Sequence, residues 1–155
     1  MLIRTADYKD LDGIYRIMDS IDHPMFFKDD RDYVYNHIEN DGFILVIDDK
    51  ELIAYLMVHY VDYDEDVHLH HIAYMDSVGV LSFARGQSYM KRLIIKAEEI
   101  LSDIGYNHYM ATVHPNNIYS LRVLQDLGYD VVKKVYRYAD LERLLLLKNE
   151  EITLR

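Results

Sequence analysis

Apolar residues recur along this chain with two periods, and the switches between them mark its elements. Leu11, Ile14, Tyr15, Met18 and Ile21 fall at helical spacing behind Asp7, which is suited to an N-cap. After an interruption at Pro24, Tyr33, Val34, His37 and Ile38 repeat that spacing over 29–39, and Asn40-Asp41-Gly42 ends the segment. The longest stripe is Met90, Leu93, Ile94, Ala97, Ile100, Leu101 and Ile104. It predicts a helix over 86–104, with Gly105 at the C′ position. A fourth helix is expected over 117–127, closed by Gly128. Residues 2–4, 43–47, 52–60, 68–80, 108–114, 129–135 and 144–147 read as strands, the 68–80 strand being long enough to hold a bulge. Residues 48–51 form a hairpin turn, and Asp62-Tyr63-Asp64-Glu65-Asp66 reads as a solvated hairpin tip. The order β-α-α-β-β-β-α-β-α-β-β describes an α/β fold whose sheet is covered by helices on both faces.

Composition narrows the chemistry. A length of 155 residues, half of them apolar and only two proline, fits one globular domain spanning 1–155. The absence of cysteine excludes a thiol nucleophile, a disulfide framework and Cys-ligated zinc. The start of the chain lacks a signal-peptide apolar region, and the apolar stretch over 52–61 is too short to cross a bilayer and is broken by His59. A soluble cytoplasmic protein with no membrane partner is therefore expected. A formal net charge of −10 argues against nucleic acid as a partner and favours a cationic one. Against that background Arg85, Lys91, Arg92 and Lys96 make a locally basic stretch, which a solvated helix face would also explain.

Two segments carry candidate chemistry. Val80-Leu81-Ser82-Phe83-Ala84-Arg85-Gly86-Gln87-Ser88 runs from a strand into the longest helix. A helix start offers unpaired N–H groups and a positive dipole end, and Gly86 removes the Cβ that would hold a phosphate away. By itself an Arg-Gly corner is more often only a turn. The second segment is His114-Pro115-Asn116-Asn117-Ile118-Tyr119-Ser120-Leu121-Arg122-Val123-Leu124-Gln125-Asp126-Leu127-Gly128-Tyr129. An Asn at a helix start is commonly a cap, and only one of Asn116 and Asn117 is needed for that. No Gly-x4-Gly-Lys-Ser/Thr loop is present, which argues against a nucleoside triphosphatase.

In this order the two segments resemble the acetyl-CoA site of the GNAT superfamily of N-acetyltransferases, and the resemblance covers nearly the whole chain. It implies a mixed, mostly antiparallel central sheet of about seven strands, splayed between the fourth (68–80) and the fifth (108–114). It implies that amides around Arg85, Gly86, Gln87, Ser88 and Tyr89 cradle a pyrophosphate. Val78, Gly79 and Val80 would pair with the pantetheine arm, and Asn117 and Ser120 would hydrogen-bond it. Two positions depart from the family pattern: Phe83 stands where Gln or Arg is usual, and Ser88 where Gly or Ala is usual.

Several members of the family place a base on the fourth strand, at positions that here are Asp76 and Tyr74. They lie two apart, so both point to one face. Asp76 is a candidate base or ammonium anchor, and a polar residue on a splayed strand edge is its plain alternative. The acid Tyr that many members carry, and a subset lack, falls on Gln125, which cannot donate a proton in that way. The implied reaction is direct transfer from acetyl-CoA to a primary amine of a small molecule or peptide, with a backbone N–H near Val78 stabilising the oxyanion. A CoA-binding sensor or interaction module is the alternative, and a homodimer is compatible with either. No metal is expected: His68 and His70 share a strand face and His71 does not, which is too few ligands for zinc. Met25, Phe26, Phe27, Tyr33 and Tyr136 are candidate aromatic walls for the acceptor.

Overall fold

The structure is a computed structural model that describes residues 1–22, 26, 28–138 and 140–150. The expectations for Pro24, Met25 and Phe27 fall outside the described residues. The chain runs β1 (Leu2–Thr5), α1 (Leu11–Ser20), α2 (Arg31–Glu39), β2 (Gly42–Asp49), β3 (Glu51–Asp64), β4 (Leu69–Val80), α3 (Tyr89–Asp103), β5 (His108–Val113), α4 (Ile118–Asp126), β6 (Asp130–Arg137) and β7 (Leu141–Asn149). The strands form one sheet in the order β1-β2-β3-β4-β5-β7-β6. Every neighbouring pair is antiparallel except β4 and β5, which run parallel. The expected mixed sheet with helices on both faces is thus observed.

Side-chain alternation along the central strands divides the core. Leu45 and Ile47 of β2 and Leu56 and Val58 of β3 face Leu93, Ile94, Ala97 and Leu101 of α3 and Val123 and Leu124 of α4. Ile44, Val46, Tyr55 and Met57 face Ile14, Ile17 and Met18 of α1 and Val34 of α2. Each fully buried Leu or Ile contributes roughly 1.5–3 kcal/mol relative to exposure. The helical stripes read from the sequence are buried or half-buried, except Ile104, which is the C-cap of α3 and is 55 % exposed. The run Leu144 to Leu147 belongs to β7, and both of its faces meet apolar clusters: Leu144 and Leu146 on one side, Leu145 and Leu147 with Ile72, Met110 and Val135 on the other, so neither face carries a polar row there.

Local chemistry corrects several boundaries. Asp7 caps a single 3₁₀ turn, Tyr8–Asp10, rather than α1 itself, accepting the Lys9 N–H at 2.9 Å. Asp10 closes the box by accepting the Asp7 N–H at 2.9 Å and is gripped by Arg4 at 2.7 and 2.8 Å. α2 begins at Arg31 because Asp30, accepting the Tyr33 N–H at 2.9 Å, is its cap. α3 begins at Tyr89 rather than 86, because Gly86 (φ +80°) and Ser88 (φ +60°) both adopt left-handed backbone that a helix cannot use.

The acidic run is a solvated hairpin tip only in part: Asp62, Tyr63 and Glu65 are exposed, whereas Asp64 is buried. β3 continues to Asp64, and Arg137 of β6 donates to Asp64 at 2.9 Å and to Asp66 at 3.0 Å. His68 consequently sits in the turn before β4 (φ +55°) and not on the strand. The His71 ring stacks on Tyr106 at 3.9 Å, and His70 packs on Tyr63 at 4.6 Å. Among the described residues no group of three or more His, Asp or Glu is placed to hold a metal ion, and no helix is long and apolar enough to cross a membrane.

Candidate functional site

The sheet opens where β4 leaves β5. Only three residue pairs join them, Ala73 with Tyr109, Tyr74 with Met110 and Met75 with Ala111. The cause lies one residue further on. β3 pairs Val58 with Met75 and the next residue, Met57, with Ser77, so Asp76 is an extra residue in β4. Such a bulge bends its strand and re-aims a side chain. From Ser77 to Val80 the strand keeps its β3 partner but has none from β5. That gap is the mouth of a cleft of about 750 Å³, bounded by β4, the end of β5 and the starts of α3 and α4.

At one end the cleft meets the corner before α3. Arg85, Gly86 and Tyr89 line it, whereas Gln87 and Ser88 do not. The start of α3 carries no side-chain cap, so its first N–H groups are left without an intrahelical or capping partner. Ser88 keeps left-handed backbone there, a conformation that costs a non-glycine residue roughly 1–2 kcal/mol. A Cβ built on Gly86 meets nothing within 4 Å, so the corner is open to a ligand. An uncapped helix start beside an Arg is the donor set a diphosphate requires. Gly79 is different: a Cβ there would lie 2.5 Å from the Tyr55 ring, so its small size is dictated by packing beneath the strand.

Along the cleft, Val78, Gly79 and Val80 form one wall, and Asn117 and Ser120 form part of another. Asn117, rather than Asn116, is the cap of α4, its Oδ1 accepting the Ser120 N–H at 3.2 Å. Its cap role and its place in the cleft coincide, because the oxygen faces the helix and the NH₂ group is a separate donor.

The far end is a hydrogen-bonded cluster of phenols around one carboxylate. Tyr33 of α2 donates to Asp76 Oδ2 in a short contact, and Tyr138, just past β6, donates to Asp76 Oδ1 at 3.1 Å. Tyr74 does not line the cleft. It is buried, with its hydroxyl in short contact with Tyr138 and 2.6 Å from Thr112 Oγ1. Tyr138 has one proton and gives it to Asp76, so Tyr74 donates to Tyr138 and Thr112 donates to Tyr74. Burial, and behind it the charge of Asp76, pushes the Tyr33 phenol above the ordinary tyrosine range. Burial, then Tyr74 and Asp76, does the same to Tyr138, so both phenols stay protonated as donors. Asp29, in the segment before α2, also faces the cleft and is only 8 % exposed. Burial first, then the negative charges of Asp76 and Asp30, pushes its carboxyl up to about 7.

An uncapped helix start at a glycine corner, next to a splayed strand with a free edge, agrees with the sequence-level match, in which the Acetyltransferase (GNAT) family model covers residues 11–129. The chain belongs to the GNAT acetyltransferase family. No curated protein matches the sequence at a significant level. Solved structures share the GNAT fold over almost its whole length. The ribosomal-protein-S18-alanine N-acetyltransferase of Escherichia coli superposes with a TM-score of 0.79 at 13 % identity, over 98 % of this chain and 95 % of that one. Arabidopsis thaliana NAA60 in complex with acetyl-CoA gives 0.79 at 16 %, over 96 % and 97 %. A probable acetyltransferase from Staphylococcus epidermidis gives 0.80 at 17 %, over 97 % and 99 %.

Within this GNAT cleft the structure brings together Asp76, Val78, Gly79, Val80, Arg85, Gly86, Tyr89, Asn117 and Ser120. Of the candidate aromatic walls, Phe26 lines the cleft and Tyr33 reaches it through Asp76, whereas Tyr136 is 66 % exposed on the edge strand β6. Gln125 is exposed and lies outside the cleft. Reasoning from sequence missed Asp29 and Tyr138. The signal for Asp29 was faint: Asp29-Asp30 precedes a helix that needs only one cap.

Proposed function

We propose that this protein transfers the acetyl group of acetyl-CoA directly to a primary amine of a small molecule or peptide. The observation that carries the reading is continuity. One cleft runs from the uncapped start of α3, past the free edge of β4, to the carboxylates at Asp76 and Asp29. The α3 end supplies backbone donors and Arg85 for the pyrophosphate. The free edge over 77–80 supplies strand-like partners for the pantetheine amides. Acetyl-CoA, when bound, would supply the activated thioester carbonyl. A backbone N–H near Val78 would receive the developing oxyanion, a contribution of about 2.7–4 kcal/mol when preorganised. Asp76, held between Tyr33 and Tyr138, presents fixed negative charge to an incoming ammonium. With no cysteine in the chain, transfer needs no thioester on the protein.

The test has two arms. Calorimetry is expected to show acetyl-CoA binding at micromolar to millimolar concentration, and a thiol-release assay across primary amines, amino acids and short peptides is expected to find turnover. Absence of any heat or thermal shift with acetyl-CoA and CoA at millimolar levels would defeat the proposal. Firm CoA binding with no thiol release across the panel would instead mark a sensor or interaction module.

A further inference from the structure

We propose that the Asp29 carboxylate is the proton acceptor of the transfer reaction, receiving a proton from a cationic acceptor amine held against Asp76. This deepens the acetyltransferase reading and rests on it. The two carboxylates of the cleft differ in their hydrogen bonding. Both Asp76 oxygens already accept phenol protons. Among the described residues no side chain donates to the Asp29 carboxylate, although the residue as a whole is only 8 % exposed; it lines the cleft.

The cations nearest Asp29 in sequence are turned elsewhere. Lys28 is in short contact with Asp19, and Arg31 donates to Asp12 at 2.9 Å. Both pack over the Tyr15 ring, at 4.6 and 4.5 Å. The Tyr15 hydroxyl donates to the Asp29 carbonyl oxygen at 3.2 Å, which fixes the backbone and leaves the carboxylate unused. Other titratable groups near this end of the cleft are Asp22 beyond α1, Asp30 and Tyr33 at the start of α2, Tyr55 on β3, Asp76 on β4 and Tyr138 beyond β6. Two groups from other elements complete the surroundings: Arg143 of β7 lines the cleft, packs over the Tyr138 ring at 5.8 Å and donates to the Glu142 carbonyl oxygen, and His37 of α2, pushed down by burial, is engaged with the Tyr33 carbonyl oxygen and His59. Neither donates to the Asp29 carboxylate, which leaves it as an unused acceptor for a cationic ligand. The upward displacement of Asp29 to about 7 has burial as its first cause, and it places the group where it can both take and return a proton near neutrality.

The proton balance is complete. The acceptor ammonium loses one proton to Asp29, and the freed lone pair forms the C–N bond to the thioester carbonyl carbon. As the carbonyl reforms, the C–S bond breaks, the second N–H proton passes to the departing sulfur, and Asp29 returns its proton to solvent.

The test uses the full chain and its Asp29→Asn and Asp29→Glu variants. Carboxyl ¹³C NMR of protein labelled at aspartate Cγ, with the Asp29→Asn spectrum for assignment, is expected to show a resonance titrating near 7. It needs no acceptor, so it decides even if the best amine is not in hand. With the fastest amine of the panel, Asp29→Asn is expected to lower kcat about 100-fold. It should also abolish the fall in rate below neutral pH, with acetyl-CoA affinity within about twofold of the parent. Asp29→Glu should keep that pH limb. An Asp29 resonance titrating near roughly 4, or an Asp29→Asn protein that keeps both rate and limb, would overturn the assignment while leaving the transferase reading intact. Wild-type protein that fails to bind acetyl-CoA overturns both, and the calorimetry identifies that case.

Discussion

At the scale of single residues the site is set by what surrounds two aspartates. Asp76 owes its place to a bulge and its orientation to two phenols from different elements. Asp76→Asn removes the charge while keeping the shape. It is expected to lower turnover by about 10- to 100-fold with acetyl-CoA affinity nearly unchanged, measured by thiol release and calorimetry; unchanged turnover removes Asp76 from the mechanism. Asp29 also ties stability to pH. Its folded-state value of about 7 lies above the unfolded carboxylate value, so between roughly 4 and 7 the folded chain binds the extra proton. Stability from this group is therefore full below the unfolded value and is lost as pH rises through the folded one. Asp29→Asn should accordingly raise Tm at pH 8 by about 2–4 °C, corresponding to about 1 kcal/mol, and the gain should vanish near pH 4. A scanning-calorimetry series that shows no pH dependence in the difference contradicts the assignment of the raised value.

At the scale of elements, two glycines near the cleft act for opposite reasons. Gly86 stands in open space with left-handed backbone, so Gly86→Val does not clash inside the protein but forces the corner out of its conformation. It is expected to weaken CoA binding at least about tenfold, or about 1.4 kcal/mol, by calorimetry; near-parental affinity would place the phosphates elsewhere. Gly79 sits over Tyr55, Ile21 and Ile17 with no room for a methyl group. Gly79→Ala is expected to cost about 1–3 kcal/mol in a denaturant titration, through overpacking. The helices and strands were legible because each repeats its apolar residues at its own period. Boundaries were legible only where one residue decides them. The late start of α3 depends on the left-handed backbone of Ser88, which its side chain does not announce. The acidic run looked solvated because Arg137, its partner, lies far along the chain.

At the scale of the whole molecule, a net charge of −10 surrounds a cleft that must admit both an anionic cosubstrate and, on our reading, a cationic acceptor. The acidic field favours the acceptor and is screened by salt, the screening length falling from roughly 30 Å at 0.01 M to roughly 3 Å at 1 M. The value of kcat/KM for a dicationic amine is expected to drop severalfold over that range, in steady-state assays at saturating acetyl-CoA. A flat profile would show that the overall charge plays no part in capture.

By itself the sequence determined the element order, the sheet with helices on both faces, the glycine corner before α3 and the Asn at the start of α4. Each of these is written in residues near one another along the chain, where periodicity, turn chemistry and capping act. The tertiary structure alone decided that Tyr33 and Tyr138 clasp Asp76, that Asp29 faces the same cleft, and that Asp64 and Asp66 are paired. Those contacts join residues distant in sequence, and burial and charge at such a point exist only once the chain has closed around it.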